Sequence, residues 1–422
     1  MSAPGKDSVL FQVHPQAELL LHGSLVPRRA MPDEKTSCGQ VRTIAPDPVG
    51  DAVAHLLDCL ASGHEFCVGT AAPAGGDTPG EAGFFQCSSS GTIAAPKRIR
   101  RSHQSWIESF RINGEQWSLG PADAYAVLGS LQHSLSLYGL IEGLHQGAKV
   151  NVLSGLPPRR QWVQMQAMPP SILYATPTQL RQLGEAAVGA PLASVRRLAV
   201  GGGFLDSDTR RRAAELFPSA RITVFYGASE TSFVTMADDT SPADSIGRAY
   251  PGVEIRVLTP QGSDCGPGEV GEIWVRSPYL FDGYAAGHSS ETRWRDGFLT
   301  VGDLGHRDAR GNLFLVGRTN RMFTVADQNI FPEEIEDVLR AHPLVSEAAV
   351  LPKPDAKRGA VPFAFVAAAL DQDGLAHLQA ECRRKLGALK TPRKLISVAD
   401  WPCLPSGKTD LQALALRLEE MG

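Results

Sequence analysis

The residues of this chain best suited to chemistry on a phosphorylated compound lie in one run: Gln86-Cys87-Ser88-Ser89-Ser90-Gly91-Thr92-Ile93-Ala94-Ala95-Pro96-Lys97-Arg98. It follows directly on the apolar pair Phe84-Phe85. A strand that runs into such a turn aims backbone N–H groups and hydroxyls at one point in space, a concave anion site. Lys97 adds a full positive charge suited to a polyphosphate. An ordinary polar loop has a similar composition, so this run alone leaves both readings open. It is not a Walker A loop, because the Gly-x-x-x-x-Gly-Lys spacing is absent. Gly407-Lys408-Thr409 mimics the end of one, but Pro402 stands where its first glycine should be.

The elements that must position these residues are legible in part. Val53, Leu56, Leu57 and Leu60 fall on one face of an expected helix from Asp51 to Ser62. His103 to Phe110 is a second expected helix. Ser171 to Tyr174, Ser194 to Val200 and Arg221 to Phe225 are expected strands. The second ends at Gly201-Gly202-Gly203, and a helix from Asp206 to Leu216 follows it, capped by Asp206 or Ser207. Strand, glycine turn, helix, strand is α/β grammar, which puts a ligand at the carboxyl ends of the strands. The loops 175–178, 201–204 and 226–231 lie there. After Ile246 the period changes to two, with an expected hairpin joining Val253–Val257 to Glu272–Val275. Pro332 to Leu339 is an expected helix with proline first and acids in its first turn. The predicted fold is therefore α/β: a large N-terminal domain with a β-rich part (1–319), then a small α+β domain (320–422).

Bulk properties exclude several classes. The chain has 422 residues, 43% of them apolar and 20% charged, as in ordinary globular proteins. A net charge of -4 gives no reason to expect nucleic acid or an anionic membrane as partner. No apolar run approaches the ~20 residues of a membrane span, and no secretory signal is expected. Seven cysteines occur without a C-x-x-C pair, which argues for reduced thiols in a cytoplasmic protein rather than a zinc site or disulfide framework.

In this order the motifs resemble the adenylate-forming superfamily of acyl-CoA synthetases, adenylation domains and luciferases, over residues from about 84 to 415. Ser89 to Lys97 is similar to its phosphate loop. Gly201-Gly202-Gly203 and Tyr226-Gly227-Ala228-Ser229-Glu230-Thr231 resemble its adenine and magnesium motifs. Gly302-Asp303 and Gly317-Arg318 resemble its ribose pair, and Pro405-Ser406-Gly407-Lys408-Thr409-Asp410 its C-terminal lysine motif.

The resemblance implies activation of a carboxylic acid by ATP to acyl-AMP with loss of pyrophosphate, then transfer to a thiol of CoA or phosphopantetheine. Ser89, Ser90, Gly91, Thr92 and Lys97 would hold the β- and γ-phosphates, and Glu230 a Mg²⁺ ion, a hard cation that suits carboxylate oxygen. Gly202, Gly203, Tyr226, Gly227 and Ser229 would surround the nucleotide, with Asp303 and Arg318 on the ribose. Lys408 would be catalytic, neutralising charge where it develops. His133, Ser134, Tyr174, Thr176 and Gly201 would line the acyl pocket, and Asn320 would be the hinge about which the C-terminal domain turns between half-reactions.

The sequence also departs from the pattern. Ala94 replaces a glycine of the phosphate loop, and Thr324 and Asp327 stand where Lys and Gly are usual. Asp327 faces the thiol route by resemblance, which brings an acyl carrier protein forward as an alternative to CoA. The region before the phosphate loop is short, and a homodimer contact would offset the lost packing. No aspartate lies between Leu128 and Leu144 to pair a substrate ammonium, which favours an aryl or medium-chain acid, since an unpaired buried charge is costly. A non-catalytic binding or scaffold protein of this fold is the alternative of another class; joint retention of Lys97, Glu230, Asp303, Arg318 and Lys408 argues against it.

Overall fold

The computed structural model describes residues 9–27, 41–69, 80–88, 97–242, 244–326, 328–404 and 408–421. Ser89, Ser90, Gly91, Thr92, Ala94, Asp327 and the approach Pro405-Ser406-Gly407 lie outside these residues.

The expected α/β grammar organises a nine-stranded sheet. Its strands Arg221–Ala228, Arg197–Val200, Ile172–Ala175, Ala124–Val127, Lys149–Val152 and Glu18–Leu21 run parallel in that spatial order. Ile172–Ala175 is buried at every position, as expected of a parallel strand covered on both faces. The loops after Ala175, Val200 and Ala228 lie at carboxyl ends of this sheet. Helix starts follow local chemistry. Thr176 and Gln179 form a reciprocal capping box with Pro177 in the first turn, and the Asp206 side chain caps Ser207–Leu216 by accepting from the Thr209 N–H at 2.8 Å.

Two structural differences from the sequence expectations have identifiable causes. The strand from Arg221 does not stop at Tyr226-Gly227; it continues to Ala228 and pairs antiparallel with Ser232–Ala237 through a register shift at Tyr226/Gly227. A Cβ on Gly227 would lie 1.9 Å from the Ser232 carbonyl oxygen, so glycine is required there for a bulge, not for a chain stop. The first fifty residues also hold strands at Glu18–Leu21 and Arg42–Ile44. These pair with Lys149–Val152 and Phe66–Val68, contacts that local periodicity does not reveal.

Phe84–Ser88, which leads into the phosphate-type loop, sits in a separate five-stranded sheet between Phe66–Val68 and Arg98–Ser102. The expected hairpin forms between Glu254–Leu258 and Gly271–Arg276 in a six-stranded sheet that also carries Asp303–Arg307 and Leu313–Arg318. From Phe323 onward the apolar residues build their own core around Val325, Ile335, Val350 and Leu378, under a five-stranded sheet. The helix Pro332–Arg340 closes one side of it, with proline in its first turn and Glu333 and Glu334 beside it. Arg181, on the helix Pro177–Ala186 of the large part, donates to Glu347 on the strand Val345–Asp355 of this small part. Asp206 also pairs with Arg181, at 3.5 Å.

A buried polar network fixes the helix Ser134–His145. Glu142, fully buried, accepts from Asn113 Nδ2 at 2.8 Å and from the hydroxyls of Tyr174 at 2.7 Å, Tyr125 at 3.2 Å and Tyr138 at 3.2 Å. The donors come from a neighbouring helix, from two sheet strands and from its own helix, so the carboxyl ties them together. Burial pushes its pKa from 4.5 up to about 7, against the pull of these hydrogen bonds. A raised carboxyl contributes stability that is complete below the unfolded value and is lost as pH rises through about 7. The gap corresponds to roughly 3 kcal/mol. His103, pushed down to about 4 by burial, works in the opposite sense, losing stability as pH falls below its unfolded value. The difference between wild type and Glu142→Gln isolates the carboxyl: calorimetric melting from pH 5 to 8 should show wild type losing stability relative to the variant as pH rises. Parallel profiles would exclude this role.

Candidate active site

The structure links most of the described sequence-predicted residues to one another near the carboxyl ends of the nine-stranded sheet. Ser88 pairs in parallel with His133 through a single β-bridge, and its N–H donates to the Gln132 carbonyl at 3.4 Å. The phosphate-type strand thus abuts the start of helix Ser134–His145. Ser134 Oγ lies 3.0 Å from Ser229 Oγ, which joins that helix to the segment bearing Glu230. Burial and the neighbouring Lys408 lower the pKa of His133, so a neutral imidazole faces the lysine.

Glu230 is almost buried. Its backbone oxygen accepts from the Phe281 N–H at 2.9 Å, and Oε1 accepts from the Tyr284 hydroxyl at 2.8 Å. Oε2 takes no hydrogen bond from the described residues. A single fixed carboxylate oxygen suits Mg²⁺, which normally binds through one or two carboxylates, substrate phosphates and retained waters. The described residues hold no cluster of three or more His, Cys, Asp or Glu that could cage a metal unaided. Lys97 Nζ lies 5.4 Å from the centre of the Tyr284 ring, so one tyrosine touches both the lysine and the acid.

Asp303 is buried on the six-stranded sheet. Its Oδ2 accepts from the Tyr226 hydroxyl, and its Oδ1 pairs with Arg318 Nε at 2.8 Å. The neighbouring Asp303 raises the pKa of Arg318 against the effect of burial. Asn320 follows in a turn after Thr319, whose N–H and hydroxyl both donate to the Gly302 carbonyl, at 2.9 and 3.0 Å.

Lys408 comes from the far end of the chain. Its segment is pinned by a bridge between Cys403 and Thr409, by Leu404 N–H to the Lys408 carbonyl at 2.8 Å, and by Trp401 Nε1 to Thr409 Oγ1 at 3.1 Å. Its side chain is solvent-exposed, yet it senses the cleft. Partial loss of water and the charge of Arg318 lower its pKa, while Glu230 and Asp303 counteract them.

The pocket residues differ in how they are used. Gly201 lies against the Phe225 ring, where a Cβ would come within 2.2 Å. Gly202 takes a positive φ beside Thr176, and Gly203 lies beside Pro177. Thr176 caps its helix. Tyr174 turns its hydroxyl into the Glu142 network. The described cysteines are unpaired, and burial pushes the Cys87 thiol up to about 12, which keeps it protonated. Sequence reasoning missed Tyr284 and Arg101. The trace of Arg101 is the alternation Arg98-Ile99-Arg100-Arg101, which puts it on the inward face with Ile99.

Comparison with known proteins identifies the family. Residues 65–285 match the family of AMP-binding enzymes, and residues 334–408 match the AMP-binding enzyme C-terminal domain. The chain is 34% identical over 342 residues to an uncharacterized acyl–CoA ligase, YhfT, of Bacillus subtilis, covering 80% of this chain and 69% of the relative. It is 28% identical to the 2-succinylbenzoate–CoA ligase of Enterococcus faecalis, covering 76% of this chain and 66% of that protein. The chain therefore spans about two thirds of the length of these relatives. Its fold matches o-succinylbenzoate CoA synthetase from Bacillus subtilis in complex with an acyl-adenylate, with a TM-score of 0.74 at 21% identity, covering 89% of this chain and 88% of that one. It also matches the amide bond synthetase McbA from Marinactinospora thermotolerans, with a TM-score of 0.77 at 22% identity, covering 95% and 96%. The chain belongs to the adenylate-forming family of AMP-binding enzymes.

Proposed function

We propose that this protein is an AMP-forming acid–thiol ligase that activates a non-amino carboxylic acid with ATP and passes the acyl group to CoA. The observation that supports this most is the linked set Lys97–Tyr284–Glu230 and Tyr226–Asp303–Arg318 in the larger part, whose charges reach Lys408 of the C-terminal part. The acid's oxygen attacks the α-phosphorus, the bond to the bridging oxygen breaks, and pyrophosphate leaves. The thiol then attacks the acyl carbon and displaces AMP. Such a reaction needs little covalent participation from the protein; positioning and positive potential do most of the work.

The geometry supports the following roles. Asp303, immobilised by Tyr226 and Arg318, offers an acceptor surface to the ribose hydroxyls. Lys97 and Lys408 approach the phosphates and the reacting carboxylate, where cationic donors stabilise charge that grows in the transition state. Glu230 would hold Mg²⁺, which supplies charge neutralisation on the phosphates when bound. Ser89, Ser90, Gly91 and Thr92 complete the phosphate site by resemblance. Asn320 is the proposed hinge, and asparagine tolerates large backbone changes better than most residues.

The acid class follows from charge. Glu142 is the one acidic residue between Leu128 and Leu144, and its oxygens are committed to Asn113 and three tyrosines. Nothing on that wall pairs an ammonium, so an aryl or medium-chain acid fits better than an amino acid. The names of the curated relatives, an acyl–CoA ligase and 2-succinylbenzoate–CoA ligase, support CoA as the acceptor.

Carboxylate-dependent pyrophosphate release across aryl, fatty and amino acids tests the reading directly. Release with one non-amino class is expected, and Lys408→Ala should lower it by at least ~10²-fold while sparing thioester formation from supplied acyl-AMP. Equal loss of both steps would contradict the role of Lys408. Arg181 and Glu347 join the two parts in the conformation described, in which Lys408 would act on the reacting groups. Arg181→Glu should slow acyl-AMP formation several-fold and leave thiol transfer from supplied acyl-AMP nearly intact. Adding Glu347→Arg should recover part of the loss; no recovery would rule out the ion pair as the cause.

A further inference from the structure

Arg101 is fully buried on the strand Arg98–Ser102, only a few residues beyond Lys97. Buried arginines are normally paired with carboxylates, but among the described residues none lies within ion-pair distance of it. Its two terminal nitrogens donate to backbone carbonyls instead, while Nε has no partner among the described residues. One arm donates to the Ser229 oxygen at 2.6 Å and the other to the Tyr279 oxygen.

These two carbonyls flank the residues that hold Glu230. Ser229 precedes it directly. Tyr279 begins the segment from which the Phe281 N–H reaches the Glu230 carbonyl at 2.9 Å and the Tyr284 hydroxyl reaches Oε1 at 2.8 Å. The same segment pairs with the arginine's own strand, since Asp282 N–H donates to the Arg100 carbonyl at 2.9 Å and Gly283 lies opposite Arg100. One planar fork thus spans both loops around the acid, with geometry that lysine cannot reproduce. Burial lowers the pKa of Arg101 to about 10, and Glu230 is among the anions that oppose this shift. The guanidinium therefore stays charged at neutral pH.

We infer that Arg101 is a positioning residue for the metal–nucleotide site: it clamps the loops bearing Ser229 and Tyr279 so that the Glu230 carboxylate is presented to metal-bound triphosphate. This rests on the assignment of Glu230 to Mg²⁺ proposed above. Loosening the clamp should weaken binding of the metal-loaded nucleotide more than the metal-free form, because only the former uses Glu230.

Calorimetric titration with α,β-methylene-ATP, which cannot be adenylated, separates the two forms when run with Mg²⁺ and again with EDTA. Arg101→Met should weaken the magnesium form about tenfold or more and the metal-free form less than about threefold. Arg101→Lys, which keeps the charge but only one carbonyl contact, should fall between. Equal weakening of both forms, or none, would overturn the inference. If Arg101→Met does not fold, by circular dichroism, the lysine variant decides on the same criterion. Wild-type pyrophosphate release and magnesium-dependent binding are measured in parallel. If wild type lacks both, the functional reading falls; if wild type has both and the variants match it, only the role of Arg101 falls.

Discussion

The cleft depends on one buried carboxylate held from two sides. Asp303 belongs to the six-stranded sheet, while its partner Tyr226 belongs to the nine-stranded sheet. Arg318, its other partner, ends the last strand before the small C-terminal core. Replacing any of the three would leave a buried polar group unsatisfied, which costs more than the hydrogen bond itself contributes. The contact therefore fixes the two sheets to each other and fixes where the C-terminal part begins. Thr319 then ties that starting point back to the Gly302 carbonyl. The position of Lys408, nearly ninety residues later in the chain, is read out from this junction.

Much of this was legible in the sequence because local rules and function coincide there. Asp206 caps its helix and Pro332 opens another for reasons contained within a few residues. The glycine-bounded strands put the loops 175–178, 201–204 and 226–231 at carboxyl ends, where α/β sheets bind ligands. Other features were hidden because their partners are distant in sequence. The strand Glu18–Leu21 gains its place only by pairing with Lys149–Val152. Arg101 looks like part of a surface basic run until Ser229 and Tyr279 are brought against it. Gly227 punctuates the sequence like a chain stop, but what it permits is a bulge within a continuous strand.

Tyrosine serves two opposite purposes on either side of the cleft. Tyr226 and Tyr284 each donate to a carboxylate proposed to face the nucleotide, Asp303 and Glu230. Tyr125, Tyr138 and Tyr174 donate to Glu142, a carboxylate turned away from it. In both settings a neutral hydroxyl orients the acid, and among the described residues Asp303 alone of these acids also carries an ion pair, to Arg318. Glu230 keeps a carboxylate oxygen without a hydrogen bond from the described residues, whereas the Glu142 oxygens are taken up by Asn113 and the three tyrosines.

The Glu142 network also bears on how such a pocket can change over evolutionary time. The helix that follows His133 is anchored through Glu142 to a neighbouring helix and two sheet strands. On the proposed reading of the pocket, exchanges at Ser134 would alter what is recognised without loosening the attachment of this helix to the sheet. On that reading the same scaffold would drift from one organic acid to another while the nucleotide chemistry beside it stayed unchanged, and Ser134 would be the natural place to retarget the enzyme by design.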